Sequence, residues 1–65
     1  MLIEGAMRRL SKRARRLLIL REREGLSYRE LADAMDIPIG TVMSGLARAR
    51  VTFRLALLNE QMSNT

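Results

Sequence analysis

The sequence predicts a small all-helical domain of four helices, the last two forming a helix-turn-helix. Three observations carry that prediction. Apolar residues recur at three-four spacing along most of the chain, Ser27-Tyr28-Arg29-Glu30 has the form of a capping box, and Asp36-Ile37-Pro38 separates the helix that follows it from a longer one. The 65 residues are enough for one domain. A chain this short buries only about 60% of the surface its unfolded form exposes, so its core must be thin. We expect a single domain over 1–65 with its core at about 7–58.

The first helix is expected over Leu2 to Leu10, with Ile3, Met7 and Leu10 on one face. Ser11 offers an N-cap to a second helix, which Ala14, Leu17, Leu18 and Leu20 carry to a stop at Gly25. In the third, beginning near Tyr28, the Ser27 hydroxyl and the Glu30 carboxylate each satisfy a backbone donor of the other's turn. Its inward face is Leu31, Ala32 and Met35, and Pro38 disfavours helical geometry at Ile37. Ala32 is small, which lets the next helix cross closely. In that fourth helix Val42, Leu46, Ala49 and Phe53 form a stripe that Ala56 or Leu57 extends; beyond about Asn59 the pattern lapses and fraying is expected.

Composition narrows the function. With no Cys and no His there is no disulfide, no ordinary zinc site and no imidazole catalyst. No two polar residues pair as nucleophile and base, so neither an enzyme nor a small-molecule substrate is expected, and no cofactor. The longest apolar runs, Leu17 to Leu20 and Leu55 to Leu58, are far short of the roughly 20 residues a membrane span needs. A cytoplasmic protein with no membrane partner fits. The net charge of +5 favours an anionic partner. Arg8, Arg9, Lys12, Arg13, Arg15 and Arg16 fall close together, and the second helix is basic at its start, which opposes the helix dipole and so reads as serving a partner. Tyr28 and Phe53 are the only aromatics, which disfavours a stacking platform for single strands and leaves duplex DNA.

If the Val42 stripe faces the core, then at about 100° per residue the opposite side near the start of the fourth helix presents Gly40, Ser44, Ala47 and Arg48, flanked by Thr41 and Met43. Arg48 can reach a guanine edge or a phosphate, Ser44 can donate or accept, and Ala47 can meet a thymine methyl. Thr41 and the free amides at the helix start suit a phosphate. The blander reading of Arg48, Arg50 and Arg54 is a solvated surface.

The stretch RRLLILREREGLSYRELADAMDIPIGTVMSGLARAR strongly resembles region 4 of bacterial RNA polymerase sigma factors of the sigma-70 family, nearest to the extracytoplasmic-function (ECF) group. The likeness covers roughly Met7 to Leu58, and EGLSYRELA followed by IPIGTVMS and ARAR is its specific part. Response-regulator domains share the REREGLS flavour but do not usually continue in this way. The resemblance implies recognition of the minus-thirty-five promoter element, with Met43, Ser44, Ala47 and Arg48 facing bases and Ser27, Tyr28 and Thr41 near the DNA backbone. Arg29 and Arg50 complete the expected backbone set. It further implies RNA polymerase core as a partner through the β flap tip, and an anti-sigma factor as a second one. Ile3, Met7, Leu17 and Ile19 are candidates for that protein-facing surface. The chain would then be a fragment or truncated relative of a longer factor.

Four positions depart from the family pattern. Gly45 stands where Arg is very common, Ala47 where a larger polar or basic residue is usual, Asp36 where Gly is usual, and Ser11 where Pro is frequent. Helical geometry places Gly45 on the exposed flank beside Ser44 and Arg48, so replacing it with Ala should stabilise the helix. Two rival readings stay open here: a free-standing repressor or response-regulator output domain, and a protein-interaction module whose DNA contact is weakened through Gly45.

Overall fold

The computed structural model describes residues 2–63; Met1, Asn64 and Thr65, which belong to the expected domain 1–65, lie outside the described residues. Four α-helices follow one another: α1 (Leu2–Arg8), α2 (Lys12–Leu18), α3 (Tyr28–Met35) and α4 (Ile39–Ser63). No strand is present among the described residues. The long axis of the molecule, 41 Å, is set by α4. At about 1.5 Å per residue that helix alone is roughly 37 Å long. The other three pack along it.

Each boundary has a local cause. Ser11, extended at φ −64° and ψ 162°, accepts the Ala14 amide on its hydroxyl and so caps α2. The second helix differs from expectation in its last turns: α2 ends at Leu18 and the chain winds on as a π-helical turn over Ile19–Arg23. The Glu24 amide reaches back to the Ile19 carbonyl and the Leu26 amide to that of Leu20. Gly25 then takes the left-handed conformation (φ 73°) that glycine adopts without Cβ strain. Arg21 closes the end by donating to the Leu26 carbonyl at 2.8 Å while its guanidinium lies 5.0 Å from the centre of the Tyr28 ring.

At α3 the capping box forms as expected. The Glu30 amide donates to the Ser27 hydroxyl at 3.1 Å and the Ser27 amide to the Glu30 carboxylate at 2.7 Å. The Ser27 backbone amide first, and then the Ser27 side chain, hold the Glu30 carboxyl below its ordinary pKa, because the ionised form is the better acceptor. The helix stops in a Schellman-type turn: the Ile37 amide bonds to the Ala32 carbonyl, the Asp36 amide to that of Asp33, and Asp36 is left-handed (φ 57°, ψ 48°). The Pro38 carbonyl then accepts from Thr41 and Val42 and starts α4.

The core is one cluster: Leu10 from the α1–α2 corner, Leu17 and Leu18 from α2 and Leu31 from α3 close on Val42, Leu46 and Ala49 of α4. Ala32, Met35, Ile37 and Phe53 pack half-buried against it. Three expectations need correction. Gly5 and Ala6 are buried while Ile3 is exposed, so the core reaches further toward the N-terminus than residue 7; α1 meets α4 through its small residues, which allow close approach. Second, α4 does not fray at Asn59 but continues to Ser63, through the strong helix formers Glu60, Gln61 and Met62. With its amide oriented to bring the oxygen to Arg9, Asn59 also accepts from both terminal guanidinium nitrogens at 3.1 and 3.2 Å, which ties the end of α4 to α1. Third, Gly45 is half-buried, and a Cβ built on it would stand 2.9 Å from Leu17 Cδ1. It is a packing glycine that lets α2 lie close against α4, and not the free flank position its spacing suggested.

Candidate nucleic-acid interface

The side of α4 turned away from the core presents Met43, Ser44, Ala47 and Arg48, all exposed, with Gly40 beside them and Thr41 half-buried. Because Val42, Leu46 and Ala49 are locked into the core at 2% exposure or less, the rotation of α4 about its axis is fixed and so is the outward aim of these four side chains. Ser44 donates its hydroxyl proton to the Thr41 carbonyl at 3.3 Å, which leaves its oxygen lone pairs facing outward as acceptors. Arg48 has no carboxylate partner among the described residues. The expected reading positions are therefore brought together on one surface.

The expected backbone set is brought together only in part. Ser27 and Arg29 are exposed at the first turn of α3, and Tyr28 beside them is half-buried under the Arg21 guanidinium. Arg50 lies elsewhere. Its guanidinium is bound to the Glu22 carboxylate at 2.9 Å, and Glu22 first, then the Tyr28 hydroxyl, raise its pKa above the ordinary arginine value. Two residues on from Arg48, it is turned about 200° around the helix, a rotation that spacing alone foretells.

Two concave surfaces flank the α2–α4 contact. On one side a cleft of about 270 Å³ runs between the α1–α2 corner and α4, lined by Arg9, Arg13, Thr41, Ser44, Gly45 and Arg48 among others. On the other side lies an apolar groove of about 380 Å³ formed by Met7, Leu18, Ile19 and Phe53, with Glu22, Arg23 and Arg50 at its edges. Leu17, expected on the protein-facing surface, is instead 1% exposed and belongs to the core, because α2 turns it inward toward Gly45. Met7 and Ile19 do line the groove, and Ile3 is exposed. Arg9 and Arg13 were legible only as part of a basic run; the bend at Leu10 and Ser11 that brings them to one cleft leaves no signal in their spacing.

A short bracing helix, a tight left-handed turn and a longer helix held at fixed rotation with a polar outward face define a helix-turn-helix domain. The chain belongs to the sigma-70 family: its residues 1–53 match the family described as Sigma-70, region 4. Among curated proteins it is similar to the RNA polymerase sigma-H factor of Pseudomonas aeruginosa, at 42% identity over 85% of this chain and 28% of that protein. It is also similar to the ECF RNA polymerase sigma-E factors of Haemophilus influenzae, at 58% identity over 51% of this chain and 18% of that protein, and of Escherichia coli, at 56% over 55% and 19%. The chain thus spans less than a third of the length of these relatives. No solved structure matches it significantly.

Proposed function

We propose that this chain binds duplex DNA at the minus-thirty-five promoter element in transcription initiation, as the region 4 domain of an ECF-type sigma factor. The observation that carries the reading is the outward face of α4, where Met43, Ser44, Ala47 and Arg48 stand exposed on a helix whose rotation the core fixes. These four would meet base edges in the major groove, Arg48 as the donor to guanine and Ala47 as the contact for a thymine methyl. Ser27, Tyr28, Arg29 and Thr41 would meet the phosphates, the first three from the start of α3 and Thr41 from the start of α4. Arg50, committed to Glu22, is left out of this set.

The second partner in this reading is RNA polymerase core. The apolar groove of Met7, Leu18, Ile19 and Phe53 opens on the flank away from the Arg13–Arg48 cleft, so a helix of the β flap tip could occupy it while α4 holds DNA. An anti-sigma factor would act by competing for the same groove. We further take residues 1–65 as one domain of a longer factor. Chemical-shift mapping tests the division of surfaces: a minus-thirty-five duplex should move the amides of residues 41–48, and a flap-tip peptide those of Met7, Ile19 and Phe53. A peptide whose shifts fall only on residues 41–48 would contradict it.

A further inference from the structure

We propose that the cleft above Gly45 is a phosphate-binding site, closed by Arg9 and Arg13 from the α1–α2 corner on one side and by Arg48 on the other. The ligand class is a phosphate ester, carried either by the DNA backbone or by a free phosphorylated small molecule. The DNA source rests on the promoter-binding reading; the free source does not.

Gly45 and Leu17 both line the cleft, and Leu17 Cδ1 lies 2.9 Å from where a Cβ at position 45 would stand. Its walls are mixed in a way that suits a phosphate rather than an apolar ligand. Guanidinium groups come from two separate elements, and Thr41, at the start of α4, adds a hydroxyl donor to the lining. Arg13 and Arg48 have no carboxylate partner among the described residues, so the cleft concentrates positive charge with no internal counterion from those two. Arg9 lines the rim from the α1–α2 corner. At about 270 Å³ the space admits one or two phosphate groups and is small for a nucleobase as well. Guanidinium forks match phosphate oxygens bidentately, so the Arg13 fork would hold the phosphate while Arg48, which meets a guanine edge when DNA is bound, adds its charge from the opposite wall.

The test compares Arg13→Ala with Arg16→Ala, which remove the same charge one helical turn apart; Arg16 is exposed and does not line the cleft. Inorganic pyrophosphate is titrated into the ¹⁵N-labelled chain. It should move the amides of Thr41, Ser44 and Gly45, with affinity falling about tenfold in Arg13→Ala and less than twofold in Arg16→Ala. A promoter duplex titrated into the same variants distinguishes the two sources. If the occupant is a backbone phosphate, pyrophosphate displaces the duplex and Arg13→Ala lowers the salt slope of duplex binding by about one while Arg16→Ala leaves it unchanged. If the occupant is a free phosphorylated molecule, pyrophosphate binds the cleft while duplex affinity is indifferent to Arg13. A wild-type chain that binds pyrophosphate here but no duplex would defeat the promoter reading and leave the cleft standing. Equal losses in Arg13→Ala and Arg16→Ala, or pyrophosphate shifts spread over the basic residues of α2 with none at Gly45, would overturn the proposal.

Discussion

Gly45 and Leu17 meet so closely that a single methyl group decides how α2 lies on α4. Helix propensity alone favours Gly45→Ala by about 1 kcal/mol, whereas forcing a methyl into a packed contact costs about 1–3 kcal/mol. Since Leu17 is itself buried and has little room to turn, we expect a net loss of roughly 1 kcal/mol, seen as a fall in Tm of some 4–8 °C. In a Leu17→Val background, which removes the δ-methyls, Gly45→Ala should instead be neutral or stabilising; thermal denaturation of the double-mutant cycle checks the sign. The wheel did hold a clue, because Gly45 lies four residues before buried Ala49 and only about 40° from it. Glu30 offers a second residue-scale test. Its pKa is lowered by the Ser27 backbone and side-chain hydrogen bonds, so its contribution is complete above the ordinary glutamate pKa and is lost as pH falls through the lower folded value. An NMR titration should place the Glu30 midpoint below that of an unstructured glutamate, and Ser27→Ala should move it back up.

Asp36 shows how an element boundary can be sound in geometry and poor in charge. It ends α3 in the left-handed conformation, where Asp is tolerated, yet it sets a carboxylate at the negative end of the helix dipole. Asp36→Asn keeps the conformational tolerance and removes the charge, so it should stabilise by about 0.3–1 kcal/mol. Asp36→Gly should gain at least as much, and chemical denaturation ranks the two. These helix starts and stops were legible because each is a local device: Ser11, the Ser27–Glu30 box and Asp36-Ile37-Pro38 act through side chains a few residues apart. The π-helical turn at Ile19–Arg23 was not, since its cause is where the Leu26 and Glu24 amides find carbonyls, and no side-chain pattern encodes that. The extent of α4 was missed for a different reason. Val51, Leu55, Leu58 and Met62 are exposed, so the apolar pattern in its second half does not mark the core face, and the lapse at Asn59 did not mark its end.

At the scale of the whole molecule, charge and apolar surface are sorted onto different flanks of the α2–α4 contact. The cleft carries Arg9, Arg13 and Arg48, and the groove carries Met7, Leu18, Ile19 and Phe53. The reading face of α4 was legible in the sequence because it is the complement of a strongly spaced core stripe. The sorting of the flanks was not, because it depends on how α1 and α2 cross α4. With a net charge of +5, duplex affinity should fall steeply with salt. Fluorescence anisotropy of a minus-thirty-five duplex across a panel of single-base substitutions, with the wild-type chain and Arg48→Ala side by side, tests the central claim most directly. The account predicts that wild type discriminates among the panel and that Arg48→Ala loses about 1–3 kcal/mol of discrimination at one or two positions while the others keep theirs. A wild-type chain that binds every duplex in the panel equally, or an Arg48→Ala profile identical to wild type, would contradict it.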